Sequence, residues 1–150
     1  MDKNDFYMKK AISEAKKSLI HEDVPVGAVI TLNNKIIAKA YNQKEWKKDA
    51  TMHAEIIAIK KACRKIQNFR LCDCEIYITK EPCLMCMGAI LSARIKKIYF
   101  GASDKKFGTK DLALNNNFNH KSEIEGGICE KECEALLTNF FINLRKNKCK

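Results

Sequence analysis

The stretch that decides the fold is EIYITKEPCLMCMGAILSA, residues 75–93. Glu75 to Thr79 is rich in β-branched and aromatic residues, a composition that is typical of a strand. Pro82 suits the first turn of a helix, because its fixed φ angle is helical and its missing N–H has no helical partner there. From Cys83 to about Ala93 the pattern is helical. The stretch therefore predicts a strand that passes directly into a helix.

Three more segments have helical spacing of their apolar residues. The first covers residues 6–19, the second runs from Met52 to about Ile66, and the last runs from about Glu130 through Phe141 into a basic end at Lys150. Asp49 or Thr51 is expected to cap the second of these helices, because both side chains can accept a backbone N–H.

Strands are indicated on both sides of the opening stretch. Val26–Leu32 and Ile36–Tyr41 are separated by a tight-turn signal and predict a hairpin. Ile98–Phe100 predicts a further buried strand that ends at Gly101. Residues 102–124 are polar and rich in asparagine, and without a clear period they indicate a loop. The order of elements predicts an α/β fold, in which helices cover a sheet whose helix-linked strands are parallel.

The composition fits one soluble domain spanning residues 1–150. The chain is 46% hydrophobic and 31% charged, and it has no apolar run long enough to cross a membrane. The first residues lead into an amphipathic pattern without an apolar signal core, so we expect a cytoplasmic protein with no membrane partner.

The net charge of +10 comes from 28 basic and 18 acidic residues. Such an excess raises the local concentration of polyanions such as nucleic acid. Lys, Asn and Ile are abundant throughout the chain, however, so a general composition bias explains the excess equally well. Charge alone leaves both interpretations open.

Eight cysteines in a chain of cytosolic character favour metal binding or free thiols over disulfides. Only Cys83 and Cys86 form a C-x-x-C pair, and residues three apart on a helix share a face, so both can reach one ion. The other six are interpreted as plain thiols. His53 and Glu55 are two residues apart and would diverge in the middle of a helix. We therefore expect the site to lie over the N-terminal end of the second helix.

His53, Cys83 and Cys86 supply three protein ligands for a zinc ion, and the fourth tetrahedral position is left for water, as in catalytic sites. No other cysteine or histidine has a spacing that would close the site. Two thiolates neutralise most of the metal's charge, so a separate base is needed to activate the water, and Glu55 is the candidate. The pair of motifs, H-x-E and P-C-x-x-C, matches the signature of zinc deaminases.

Almost the whole chain resembles the bacterial tRNA adenosine deaminases, which convert the wobble adenosine of an anticodon to inosine. The stretches that carry the resemblance beyond the metal motifs are VPVGAVI (24–30), Tyr41-Asn42, IKKIYFGASDKKFG (95–108) and ECEALLTNFF (132–141). The resemblance implies a three-layer α/β/α cytidine deaminase-like fold with a mixed sheet, an N-terminal hairpin and flanking helices. It also implies one zinc ion per chain, a tRNA anticodon stem-loop as substrate and a homodimer.

The same resemblance implies the substrate-binding residues. Asn42 would contact a flipped nucleotide, and Ala54 belongs to the same set. Asp104 and Lys106 would lie beside the bound loop, and Phe141 would stack on a loop base. From spacing alone, Asn42 fits the end of a strand, Asp104 an ordinary turn, and Phe141 a core position.

Two alternatives to tRNA editing are open. The same zinc motif would serve a deaminase of a free base or nucleoside, such as guanine or cytosine/cytidine, and a non-catalytic zinc or RNA-binding module is the third interpretation. Glu55 argues against the non-catalytic module. Basic residues favour a polyanionic substrate over a small one; they lie at Arg94, Lys96, Lys97, Lys105, Lys106 and Lys110, and again from Arg145 to Lys150.

Overall fold

The computed structural model describes residues 1–115, 118 and 120–148. Asn116, Asn117, Asn119, Cys149 and Lys150 lie outside the described residues, and with them part of the asparagine run, one predicted plain thiol and the end of the predicted basic tail. Among the described residues, none of the helices combines the length and the apolar character that crossing a membrane requires.

Six helices and five strands make up the described chain. The helices are α1 (Lys3–Ser18), α2 (Lys44–Lys47), α3 (Ala54–Ile66), α4 (Leu84–Ser92), α5 (Lys110–Asn115) and α6 (Glu130–Lys148), with a 3₁₀ turn at Leu19–His21 after α1. The strands are β1 (Gly27–Leu32), β2 (Lys35–Tyr41), β3 (Cys74–Lys80), β4 (Lys97–Ala102) and β5 (Glu123–Glu125).

The strands form one mixed sheet in the order β2-β1-β3-β4-β5. β1 pairs antiparallel with both β2 and β3, whereas β3, β4 and β5 run parallel. α4 connects β3 to its parallel neighbour β4, as a parallel pair requires. The predicted α/β fold, with a mixed sheet, an N-terminal hairpin and flanking helices, is confirmed.

Helices cover both faces of the sheet. Ile76 and Ile78 of β3 pack into the core beneath α3 and α4, while Tyr77 between them points into the core beneath α1 and α6. This alternation follows from the two-residue period of a strand. β3 is therefore apolar on both faces, as expected of a strand that is covered by helices on both sides.

The hairpin turn follows from its two asparagines. Asn33 and Asn34 connect β1 to β2 and have φ angles of 51° and 62°. Two successive left-handed residues match the twist of a hairpin, and asparagine tolerates this conformation better than most residues do.

Three local expectations were wrong. Residues 102–124, expected to be a loop, contain the short elements α5 and β5, and β4 continues through Gly101 to Ala102. The residue at the N-cap of α3 is His53, whereas the Asp49 side chain accepts hydrogen bonds from the backbone and hydroxyl of Thr51. α5 and β5 have too few residues for a periodic pattern to predict them.

Gly27 sets the distance between α1 and the sheet. A Cβ at this position would collide with the Ala11 carbonyl oxygen and would lie 2.6 Å from the Ala15 backbone nitrogen. These atoms belong to a helix backbone, so no flexible side chain can move aside. α1 therefore packs closely on β1 only because residue 27 is glycine.

We expect Gly27→Ala to lower the free energy of unfolding by about 1–3 kcal/mol, because overpacking forces α1 away from β1. Gly88→Ala is the matched control, since an added Cβ on this exposed residue of α4 meets nothing within 4 Å. This change should be neutral or should stabilise by up to about 1 kcal/mol. Urea denaturation of the three proteins measures the difference, and equal midpoints would contradict the close packing.

Candidate active site

His53, Cys83 and Cys86 come together although 30 residues of sequence separate the first two. Their ligand atoms all lie within 4.8 Å of one another. The Nδ1 atom of His53 is 3.7 Å from Cys83 Sγ and 3.4 Å from Cys86 Sγ. The three side chains expected from their spacing to share an ion are thus neighbours in space.

The distances suit a tetrahedral zinc ion. Zn–S bonds of about 2.3 Å and Zn–N bonds of about 2.0–2.1 Å place sulfur and nitrogen ligands about 3.6 Å apart. The two nitrogen–sulfur distances, 3.7 and 3.4 Å, lie on either side of this value. One imidazole and two thiolates are also a donor set that zinc prefers. The residues therefore fit the metal without rearrangement.

Two helix N-termini position the three ligands. His53 is the N-cap of α3 and Cys83 is the N-cap of α4, each with an extended backbone, and Cys86 lies on the first turn of α4. Neither N-cap side chain caps its own helix. Both side chains are therefore available to a shared ion, and the positive ends of two helix dipoles favour thiolate at this point.

The two thiols and the imidazole shift one another's pKa values. The Cys86 thiol and the His53 imidazole beside it lower the pKa of Cys83 to about 3. The same contact with Cys83, together with burial, raises the pKa of Cys86. Cys83 also raises the pKa of His53. Binding of a divalent cation would displace the remaining protons, as it does at thiolate sites in general.

Glu55 lies beside this group on the first turn of α3 and is 4% exposed. Burial raises the pKa of its carboxyl group above the ordinary value, and its neighbours His53 and Cys86 only partly oppose this. A carboxyl group whose pKa is raised holds a proton more readily and can both accept and donate one.

A cavity of about 320 Å³ opens onto the ligand group. This volume is at the lower end of the range for small-molecule sites, about 300–1,000 Å³. The cavity is lined by Val24, Val26, Asn42, Lys44, His53, Ala54, Glu55, Lys80, Glu81, Cys83, Asp104 and Phe107. Three of the five residues expected to bind substrate, Asn42, Ala54 and Asp104, are thus on its wall.

Asn42 is fixed in place before any ligand arrives. Its side-chain nitrogen donates to the Val24 carbonyl oxygen at 3.0 Å, and its side-chain oxygen accepts from the Lys44 backbone nitrogen at 3.1 Å. Each of these atoms retains one further hydrogen-bonding position, since an amide nitrogen has two protons and an amide oxygen two lone pairs. The cavity wall therefore offers an oriented donor and acceptor.

The Glu81 carboxylate holds the loop that carries Asp104 and Phe107. One of its oxygens accepts from the Asp104 backbone nitrogen and the other from the Lys110 backbone nitrogen, both at 3.0 Å. The Thr109 hydroxyl donates to the Pro82 carbonyl oxygen at 2.8 Å. The loop is thus tied to the two residues directly before Cys83.

Asp104 is anchored from both sides. Lys80 Nζ lies 3.2 Å from its carboxylate, which also accepts from the backbone nitrogens of Lys106 and Phe107. Burial raises the pKa of Asp104, but these hydrogen bonds outweigh it and hold the pKa below its ordinary value. Asp104 is therefore a carboxylate at neutral pH.

Lys106 and Phe141 do not line the cavity. Lys106 is exposed, with its ammonium group 5.3 Å from the centre of the Phe107 ring. Phe141 is 40% exposed on α6 and packs edge-on against Phe140. Phe141 is thus not a core residue.

The basic residues at 94–110 are close in sequence but divided in space. Lys97 begins β4 and lies 3.9 Å from Glu123, whereas Lys105 and Lys106 follow the other end of this strand, on the side of the cavity. A strand of six residues separates these ends by about 17 Å. Sequence clustering overestimated the basic surface at the site.

Sequence reasoning did not identify Lys44, Lys80, Glu81 or Phe107 as site residues. Glu81 had one signal, its position next to Pro82 in the cysteine motif. No spacing rule links it with residues 104 and 110, which it holds.

The fold and the site define the class of the protein. A mixed sheet between two helical layers, with a His-Cys-Cys group and a buried glutamate where two helices begin, is the arrangement of cytidine deaminase-like deaminases. The model of the MafB19-like deaminase family matches residues 1–145. The tRNA-specific adenosine deaminase of Bacillus subtilis (strain 168) is 41% identical, over 99% of this chain and 94% of that protein. The chain therefore belongs to the tRNA-specific adenosine deaminase family.

Solved structures agree with this assignment. One, from biochemical and structural studies of A-to-I editing by tRNA:A34 deaminases at the wobble position, has a TM-score of 0.85 and 34% identity, and covers 88% of this chain and 99% of its own. A guanine deaminase from Bacillus subtilis has a TM-score of 0.64 and 30% identity, and covers 80% of this chain and 82% of its own. The fold is thus shared with a guanine deaminase. The TM-score and the sequence identity to that protein are both lower than those to the tRNA:A34 deaminase structure.

We expect Cys86→Ser to abolish stoichiometric metal binding, with Cys72→Ser as the control at an exposed thiol outside the group. Loss of a residue that hydrogen-bonds to a metal ligand already lowers metal affinity by about 10–100-fold. Loss of the ligand itself should lower metal affinity at least as much. Elemental analysis of the purified proteins measures the metal content. Equal metal content in Cys86→Ser and in the unaltered protein would exclude this group as the metal centre.

Proposed function

We propose that this protein hydrolyses the wobble adenosine of a tRNA anticodon loop to inosine and ammonia. The observation that carries the proposal is the buried Glu55 beside the His-Cys-Cys group, within a chain of the tRNA-specific adenosine deaminase family.

One zinc ion per chain would be held by His53, Cys83 and Cys86. When bound, zinc supplies a Lewis acid that makes water a nucleophile near neutral pH. Cys83 and Cys86 reduce the net charge of this centre by their thiolates, so proton removal falls to a neighbouring protein group.

Glu55 is that group in our proposal. It takes one proton from the attacking water and delivers it to N1 of the adenine ring, while the water oxygen forms a bond to C6. The second water proton then goes to the exocyclic nitrogen, the C6–N bond breaks, and ammonia leaves. The raised pKa of the buried carboxyl group supports this double role, because the group must hold the proton between the two transfers.

The cavity wall would orient the base. Val24 and Val26 offer apolar surface to the ring, while Asn42 offers the donor and acceptor described above. The target nucleotide must leave its stack to enter a cavity of this depth, and an unpaired loop lowers that cost. The surrounding loop of the RNA would contact Asp104 on the cavity wall. It would also contact Lys106 and Phe141, which lie outside the cavity.

We further infer that residues 1–150 act as one domain, in the cytoplasm and as a homodimer. Exposed apolar side chains on α4 and α5 support a second copy as partner. Leu84 is 66% exposed, and Met85 and Leu112 are 37% and 41% exposed. Apolar surface of this kind is typical of protein interfaces.

We expect Glu55→Gln to keep the fold and the metal while losing about 10²–10⁴-fold in turnover, the usual contribution of a proton-transferring group. The amide keeps the shape of the side chain but cannot accept the proton. Single-turnover deamination, with metal analysis of the same samples, tests the division of roles. Loss of the metal in this variant would show that Glu55 is a ligand instead.

Substrate choice is tested by incubating the protein with total tRNA and sequencing anticodon loops for inosine, alongside assays with free guanine and free cytidine. We expect inosine at a wobble position and no turnover of the free compounds. Binding of an anticodon hairpin should weaken by about tenfold between 50 and 200 mM salt if two phosphates are contacted. Efficient deamination of guanine or cytidine with an unaltered hairpin would replace the tRNA proposal by the small-molecule alternative.

A further inference from the structure

Trp46, the single tryptophan of the chain, lies on α2 and is 44% exposed. Its ring stacks on that of His21, with centroids 3.7 Å apart and planes within 4° of parallel. The Lys47 ammonium lies 4.1 Å from the centre of the Trp46 ring. Because the His21 ring fills one face of the indole, the ammonium lies over the opposite face. We call Trp46, His21 and Lys47 the aromatic platform.

The platform is held rigidly. The Asp23 carboxylate is fully buried and accepts from the backbone nitrogens of Glu45 and Trp46, at 2.6 and 3.1 Å. These bonds fix the start of α2 against the chain that follows α1. The indole is therefore oriented before any ligand binds, which reduces the entropy lost on binding.

The platform shares the short helix α2 with a residue of the cavity wall. Lys44, the first residue of α2, lines the cavity, and its backbone nitrogen donates to Asn42. Trp46 follows Lys44 by two residues, and α2 with its following residue carries three lysines, Lys44, Lys47 and Lys48, beside one acidic residue, Glu45. A cationic surface that carries an exposed aromatic face is the arrangement that binds single-stranded nucleic acid.

We propose that the aromatic platform binds an unpaired nucleobase of the RNA next to the nucleotide in the cavity. The base takes the indole face over which the Lys47 ammonium lies, so that the indole is stacked between the base and His21. The displaced ammonium then pairs with a phosphate of the same strand. This inference rests on the proposed RNA substrate and assigns a second base-binding position to it.

The test uses an anticodon hairpin with a wobble adenosine, bound to Glu55→Gln protein so that no turnover occurs. Trp46→Ala should raise the dissociation constant about 5-fold to 150-fold, the range for loss of one base–aromatic stack, and Trp46→Phe should raise it less. Phe69→Ala is the matched control. Phe69 is 59% exposed and has a guanidinium group 4.5 Å from its ring centre, but it follows the far end of α3.

Two further measurements separate stacking from a purely structural role. Because Trp46 is the single tryptophan, its fluorescence reports on it directly, and the hairpin should change the emission while a fully paired duplex of equal length should not. Removing one loop base at a time should identify one base whose loss weakens binding to the parent protein but not to Trp46→Ala.

Equal hairpin affinity of Trp46→Ala and its parent would overturn the platform, as would an equal fluorescence response to duplex, which indicates charge attraction alone. A lowered melting temperature of Trp46→Ala without any base-specific coupling would assign the platform a structural role and overturn it as well.

Deamination of the hairpin by the unaltered protein is measured in parallel. If that protein neither binds nor deaminates the hairpin, the proposed function fails together with the platform, whereas normal deamination with no Trp46 effect overturns the platform alone.

Discussion

The parallel pairing of β3 with β4 is the constraint on which the rest of the site depends. The two strands run in register from Glu75 opposite Lys97 to Lys80 opposite Ala102, so their carboxyl ends meet at one edge of the sheet. Residues that follow these ends are brought together whatever their separation in sequence. Cys83 follows β3 and Asp104 follows β4. The metal group and the loop that borders the cavity are neighbours for this reason.

At this edge, two helices begin without a stabilising N-cap side chain. An N-cap position normally carries Ser, Thr, Asp or Asn, whose side chain satisfies a backbone N–H and stabilises the helix by about 1 kcal/mol. Here His53 and Cys83 occupy the N-caps of α3 and α4 and make no such bond. A local departure from helix preferences at two converging helix ends is what a functional site is expected to contain.

Carboxylates near the cavity perform two different tasks. Asp23 is fully buried and accepts two backbone N–H bonds, and Glu81 holds the loop from Asp104 to Lys110 in the same way. Glu55 lies instead beside His53 and Cys86. The first two carboxylates stabilise backbone near the cavity, while burial raises the pKa of the third. The environment, and not the residue type, separates structural from chemical carboxylates.

The sequence by itself determined the long elements, the candidate metal ligands and the proton-transferring candidate. Periodic apolar residues predict α1, α3, α4 and α6, and the spacing of His53, Cys83 and Cys86 predicts one open metal site. The tertiary structure alone decided the rest: the elements α5 and β5, the bonds of Glu81, the division of the basic residues between opposite ends of β4, and the stacking of Trp46 on His21. Periodicity and short motifs report interactions within one element, whereas these features join residues that are distant in sequence and meet only when the sheet assembles.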